Sequence, residues 1–67
     1  MDIFRGIVEV DVMGEGSPWC ERFTISEAIH IWGGEAELFR ILVEGSDGVH
    51  LFKGYDVKGK NISLYLQ

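Results

Sequence analysis

Apolar and polar positions alternate along the first dozen residues. Phe4, Val8, Val10 and Val12 fall on one side, Arg5, Glu9 and Asp11 on the other. A period of two in a Val- and Ile-rich run predicts a β-strand over residues 2–13. Gly6 interrupts the apolar side and marks a bend or bulge. Ile3, Ile7 and Met13 share the polar side, so that face is expected to be partly covered. Residues 14–18, Gly-Glu-Gly-Ser-Pro, have loop composition. Alternation then resumes, with Trp19, Phe23 and Ile25 opposite Cys20, Arg22 and Thr24. This is read as a second strand, antiparallel to the first.

At Thr24 the period changes. Thr24 and Glu27 have the spacing of a capping box, in which each side chain satisfies a backbone N–H at a helix start. Ile25, Ala28, Ile29 and Trp32 follow at helical spacing, and Gly33-Gly34 supplies a left-handed stop. A short helix over 25–33 is the reading. A strand through 23–32 competes, because Ile29, Ile31 and Trp32 have β character.

Residues 36–44 alternate again, Phe39, Ile41 and Val43 against Leu38, Arg40, Leu42 and Glu44, which predicts a strand. Gly45-Ser46-Asp47-Gly48 reads as a hairpin turn, and residues 49–54 as its returning partner. A further turn falls at 58–61. Ile62, Leu64 and Leu66 alternate with Ser63 and Tyr65 in a last strand. The order is β-β-α-β-β-β. This is a mainly β (α+β) domain of five antiparallel strands and one short helix. A curled sheet or small open barrel is expected, with SH3-like and OB-like barrels as the analogues.

Composition sharpens this picture. Sixty-seven residues make one domain, 1–67, that buries only ~60% of its unfolded surface, so stability is marginal without support. Cys20 is the only cysteine, so no disulfide forms within the chain. The 46% of apolar residues suffice for a core. The aromatics Phe4, Trp19, Phe23, Trp32, Phe39, Phe52, Tyr55 and Tyr65 exceed what so small a core needs. Some are expected at an interface, with self-association the natural form.

The formal net charge is −5. It is uneven: residues 1–44 carry nine acids against three arginines, whereas residues 45–67 carry Asp47 and Asp56 against Lys53, Lys58 and Lys60. An acidic chain repels phosphate backbones and anionic lipid surfaces. No secretory signal and no membrane-span pattern is visible, and a lone cysteine suits a reducing cytoplasm.

Candidate chemistry is sparse. Cys20, His30 and His50 are ten residues apart or more, without the close pairs of a structural zinc site, so no metal or cofactor is expected. Cys20 as a nucleophile would need a lowered pKa, and its acidic surroundings oppose one. Glu9 with Asp11, and Glu35 with Glu37, are alternate-residue carboxylate pairs, read as solvated faces or as contacts for a basic partner. Gly14-Glu15-Gly16 lacks the lysine and helix start of a phosphate loop. Lys53, Lys58 and Lys60 with Phe52, Tyr55 and Tyr65 make a thin version of a single-strand nucleic-acid face.

The sequence therefore points first to a small acidic protein-interaction module, self-associating and not an enzyme, acting as an adaptor or inhibitor. Trp19, Trp32, Glu9 and Asp11 are the candidate partner-binding residues, because tryptophan is enriched at hot spots and the carboxylates suit a basic surface. A nucleic-acid-binding barrel is the alternative, and a metal or thiol site around Cys20 the second.

Overall fold

The computed structural model describes residues 3–14 and 20–67. Four strands and two helices follow in the order β1 (Glu9–Met13), β2 (Cys20–Thr24), α1 (Ile25–Ile31), α2 (Glu35–Glu44), β3 (Phe52–Lys58) and β4 (Asn61–Leu66). The strands form one sheet in the order β2-β1-β4-β3. β1 pairs antiparallel with β2, β3 antiparallel with β4, and the central pair β1–β4 is parallel. The first and last strands are thus joined in the middle of the sheet.

The strand registers sort side chains into two faces. Phe23, Val10, Ile62 and Val57 form one row across the sheet, and Glu21, Val12, Leu64 and Tyr55 the next. On this face Val10, Val12, Ile62 and Leu64 are buried against Ala28 of α1, Leu38 and Ile41 of α2, and Phe4. The opposite face carries Thr24, Glu9, Asn61 and Lys58 in one row and Arg22, Asp11, Ser63 and Asp56 in the next.

The helix at 25–33 forms as its caps predict. Glu27 N–H donates to Thr24 Oγ1 at 3.1 Å, and Thr24 N–H donates to Glu27 Oε1 at 2.9 Å. At the other end Gly34 N–H reaches Ile29 O and Gly33 N–H reaches His30 O, with Gly33 at φ 92°. That is a complete Schellman stop, and the positive φ explains the glycine.

Several expectations are corrected. Residues 36–44 are not a strand but most of α2, so the described residues form an α+β fold with four strands in a mixed sheet, not five antiparallel ones. The described residues form an open sheet with helices on one face, not an SH3-like or OB-like barrel. Leu38, Ile41 and Leu42, spaced three and four apart, turn α2 towards the core. Arg40 clamps the outer side by ion pairs to Glu37 at 2.8 Å and Glu44 at 3.1 Å. Gly45, at φ 75°, is the left-handed C-cap of α2, so a helix and not a strand leads into the turn; the chain still reverses there, with Phe52 N–H donating to Gly45 O and an antiparallel bridge between Ser46 and Leu51. Within the turn Asp47 Oδ1 accepts from the N–H groups of Val49 and His50, an Asx turn. The returning strand consequently begins at Phe52, not at 49. β1 is shorter than 2–13: residues 3–6 form a turn, Gly6 sits at φ 86°, and Val8 is exposed.

Two expectations match. β2 pairs with β1 as read, and Gly59-Lys60 closes the β3–β4 hairpin in two residues. Gly59 has φ 60° and Lys60 does not have a positive φ, the combination of a type II′ turn. Among the described residues no helix is long and apolar enough to cross a membrane.

Candidate functional site

The helices cover the apolar face of the sheet unevenly. α1 lies over β1 and β2, while β3 is the outermost strand on the other side. Tyr55 and Val57 point to the helix side of β3 yet remain 49% and 52% exposed. On α2, Phe39 and Val43 lie one turn apart and are 49% and 66% exposed. Between helix and strand runs a groove of about 260 Å³, walled by Phe39, Leu42, Tyr55 and Val57 and by Ile3 and Ile7 of the N-terminal segment. That segment is held by Ile3 N–H donating to Glu35 Oε1 and Val8 N–H donating to Lys60 O. The result is a mainly apolar groove on a domain rich in charge, with the exposed Arg5 also at its wall. Apolar strips of this kind mark interaction surfaces on soluble domains.

A second concavity, about 300 Å³, opens at the other end of the helix layer, between Val12, Glu21, Phe23, Trp32, His50 and Phe52. Trp32 packs edge-on against Phe23 at 5.6 Å and donates its indole N–H to Asp47 Oδ2 at 3.3 Å. His50 Nδ1 lies 3.1 Å from the same oxygen. Burial pushes the Asp47 carboxyl up. The N–H groups of His50 and Val49, the His50 ring and the Trp32 indole together outweigh it, holding Asp47 well below the usual carboxylate range. The carboxylate thereby fixes the loop between α2 and β3. Trp32 is a half-buried strut of that loop.

Glu9 and Asp11 share the other face of the sheet, as read, but their settings differ. Asp11 is buried and accepts from Arg22 Nε at 2.8 Å, Arg22 Nη2 at 3.2 Å and Asn61 Nδ2 at 3.1 Å. The Arg22 hydrogen bonds lower its pKa, burial opposes them, and Asn61 adds to the lowering. Ser63, opposite Asp11 on β4, donates to Asn61 Oδ1. Glu9 is half-buried, 3.8 Å from Arg22. Arg22 thus already occupies both carboxylates.

Trp19 lies outside the described residues. Cys20 and His30 are exposed, on β2 and α1 respectively. No cluster of three or more His, Cys, Asp and Glu side chains suited to a metal occurs among the described residues. Lys53, Lys58 and Lys60 are spread along β3 and its turn, with Lys58 3.8 Å from Asp56. Of the aromatics grouped with them, Phe52 is buried in the core, Tyr55 faces the helix side and Tyr65 the opposite side.

Sequence reasoning did not single out Phe39, Val43 and Val57 as surface residues. The signal was present in 35–44, where Phe39 and Val43 at i, i+4 stand off the Leu38–Ile41–Leu42 stripe. It becomes visible only once that segment is read as a helix. Searches against protein-family models, curated proteins and solved structures find no match to this chain.

Proposed function

We propose that this chain is a non-enzymatic protein-interaction module that docks through the apolar strip of α2 and β3. One observation carries the reading: Phe39 of α2 and Tyr55 and Val57 of the outer strand β3 each expose about half of their surface while lining one groove, with Val43 one turn further along α2. Such exposure costs solubility and gives no core packing, so a partner is its natural explanation. The polar clusters support the same view. Asp11 and Asp47 direct their oxygens at groups of their own chain, which suits a structural role better than chemistry on a substrate.

Affinity capture from the native host tests this. Chains carrying Phe39→Glu or Tyr55→Glu are compared with the unaltered chain and with Ser26→Glu, an exposed position on α1. A discrete protein retained by the unaltered chain and by Ser26→Glu, and lost from the other two, is the expected result. Capture indifferent to Phe39 and Tyr55, or retention of nucleic acid in place of protein, overturns the proposal.

A further inference from the structure

The geometry of β3 points to one particular partner. We infer that the strip pairs with a second copy of this chain, by antiparallel addition of β3 to β3 centred on Tyr55. The inference rests on the α2–β3 strip being a docking surface and names what docks there.

The argument begins at the hairpin. In a two-residue β-turn the residue before the loop accepts a hydrogen bond from the residue after it, so Lys58 and Asn61 form a bonded pair. Antiparallel pairs alternate between bonded and non-bonded. Asp56↔Ser63 is therefore bonded, whereas Val57↔Ile62 and Tyr55↔Leu64 are not. The N–H and C=O groups of Tyr55 and Val57 consequently point away from β4. Among the described residues no strand lies beyond β3, and only its first residue is covered there, where Phe52 N–H donates to Gly45 O and Ser46 bridges Leu51. The two residues with outward-facing backbone are the two with exposed apolar side chains. An edge offering both is a template for another strand.

Register then limits the choice. Self-pairing centred on Asp56 sets two aspartates directly opposite, which is destabilising. Centring on Val57 runs β3 into the Gly59-Lys60 turn of the other copy, leaving only residues 56–58 overlapped. Centring on Tyr55 overlaps residues 53–57, clear of the Gly45 O–Phe52 N–H contact at the start of the strand, placing Tyr55 against Tyr55, Gly54 against Asp56 and Lys53 against Val57, with no like charges opposed. The two-fold axis stands perpendicular to the sheet, so both helix layers lie on the same side and the two strips flank the junction.

Charge is consistent with this choice. Two chains of net charge −5 repel, but β3 itself carries Lys53 and Lys58 against Asp56 and is the least acidic edge available. The contact is small, at the lower end of specific interfaces, so association is micromolar or weaker and strengthens with salt. The one-residue slip between Phe52 and Gly54 shortens the regular ladder, which favours a closed pair over an extended stack.

The full chain is followed by sedimentation and by amide exchange from micromolar to millimolar concentration. Protection of the Tyr55 and Val57 amides is expected to rise with concentration, while Asp56 and Lys58, bonded to β4, stay protected throughout. In a Cys20→Ser background, Tyr55→Cys is expected to form an interchain disulfide with oxidised glutathione, and Val57→Cys is not, since only residue 55 meets itself. Concentration-independent exchange at both amides, or crosslinking of Val57→Cys in preference to Tyr55→Cys, overturns the inference. A chain that stays monomeric yet captures another protein through Phe39 and Tyr55 overturns it too, while leaving the interaction module standing. Self-association insensitive to Tyr55→Glu places the contact elsewhere and likewise overturns it.

Discussion

Replacing Asp11 by alanine removes the polar junction between three strands: its own, the Arg22 strand and the Asn61 strand. Three hydrogen bonds are lost, and hydrogen bonds to a charged group contribute about 1.5–3 kcal/mol each when buried. Two of them come from Arg22, whose side chain is 62% exposed and rehydrates once released, so they count for much less than that. Asn61 is half-buried and loses its carboxylate acceptor. The balance is about 2 kcal/mol of stability at neutral pH, or a fall of ~8–16 °C in Tm for a domain of this size. Asp11→Asn keeps the volume and one acceptor oxygen and should cost about half as much.

The effect has a pH signature. The folded pKa of Asp11 is lowered, chiefly by Arg22, so its stabilisation is present above the unfolded value, about 4, and is lost as pH falls through the folded value. Asp47 behaves in the same direction, but it does so in both proteins and cancels from the difference. Urea denaturation followed by tryptophan fluorescence, at pH 7 and at successively lower pH, measures this. The gap between the original chain and Asp11→Ala should narrow steadily below pH ~4, with the denaturant slope unchanged. A midpoint unaffected by Asp11→Ala at pH 7, or a gap that persists undiminished in acid, would refute the reasoning.

Other substitutions probe separate parts of the fold. Thr24→Ala should cost about 1 kcal/mol by removing the cap of α1, with Thr24→Ser restoring most of it, as read from thermal melts by circular dichroism. Gly45→Ala should be more damaging than Gly48→Ala. Both sites have positive φ, but a Cβ at Gly45 would lie 3.1 Å from Phe52 O whereas Gly48 has open space, so the first should cost more than the ~1–2 kcal/mol of left-handed backbone alone. Leu38→Ala should cost about 2–5 kcal/mol, whereas Val43→Lys on the same helix should stay within ~0.5 kcal/mol, because the former is buried and the latter 66% exposed.

What could be read in the sequence was what depends on near neighbours. The α1 helix is announced by Thr24, Glu27 and the Gly33-Gly34 stop, all within eleven residues, and the structure uses every one of them. The β3–β4 turn is likewise local, carried by Gly59. Long-range pairing was not legible: β4 lies parallel to β1, with Asn61 level with Glu9, and no nearby residue specifies that. The Arg22–Asp11 bridge falls between. Its partners lie on facing strands, and following the β1–β2 register one step further would have matched them.

The misread segment, 36–44, has the most instructive cause. Alternation of Phe39, Ile41 and Val43 imitates a strand because two different demands overlap on one helix. Ile41 belongs to the core stripe with Leu38 and Leu42, while Phe39 and Val43 are apolar on the outer surface. An ordinary surface helix would be polar at those two places and would show a cleaner period. The failure of the pattern therefore falls on the residues of the proposed docking strip, where a rule for folding alone is expected to break.

Site-directed photocrosslinking in the native host tests the docking strip most directly. A benzophenone amino acid is placed at Phe39 or Tyr55 on the strip, and at Ser26, which is exposed on α1 away from β3. The account predicts discrete protein adducts, to a second copy or to another chain, from Phe39 and Tyr55 and none from Ser26. Adducts equally abundant from all three positions, or from Ser26 alone, would contradict it.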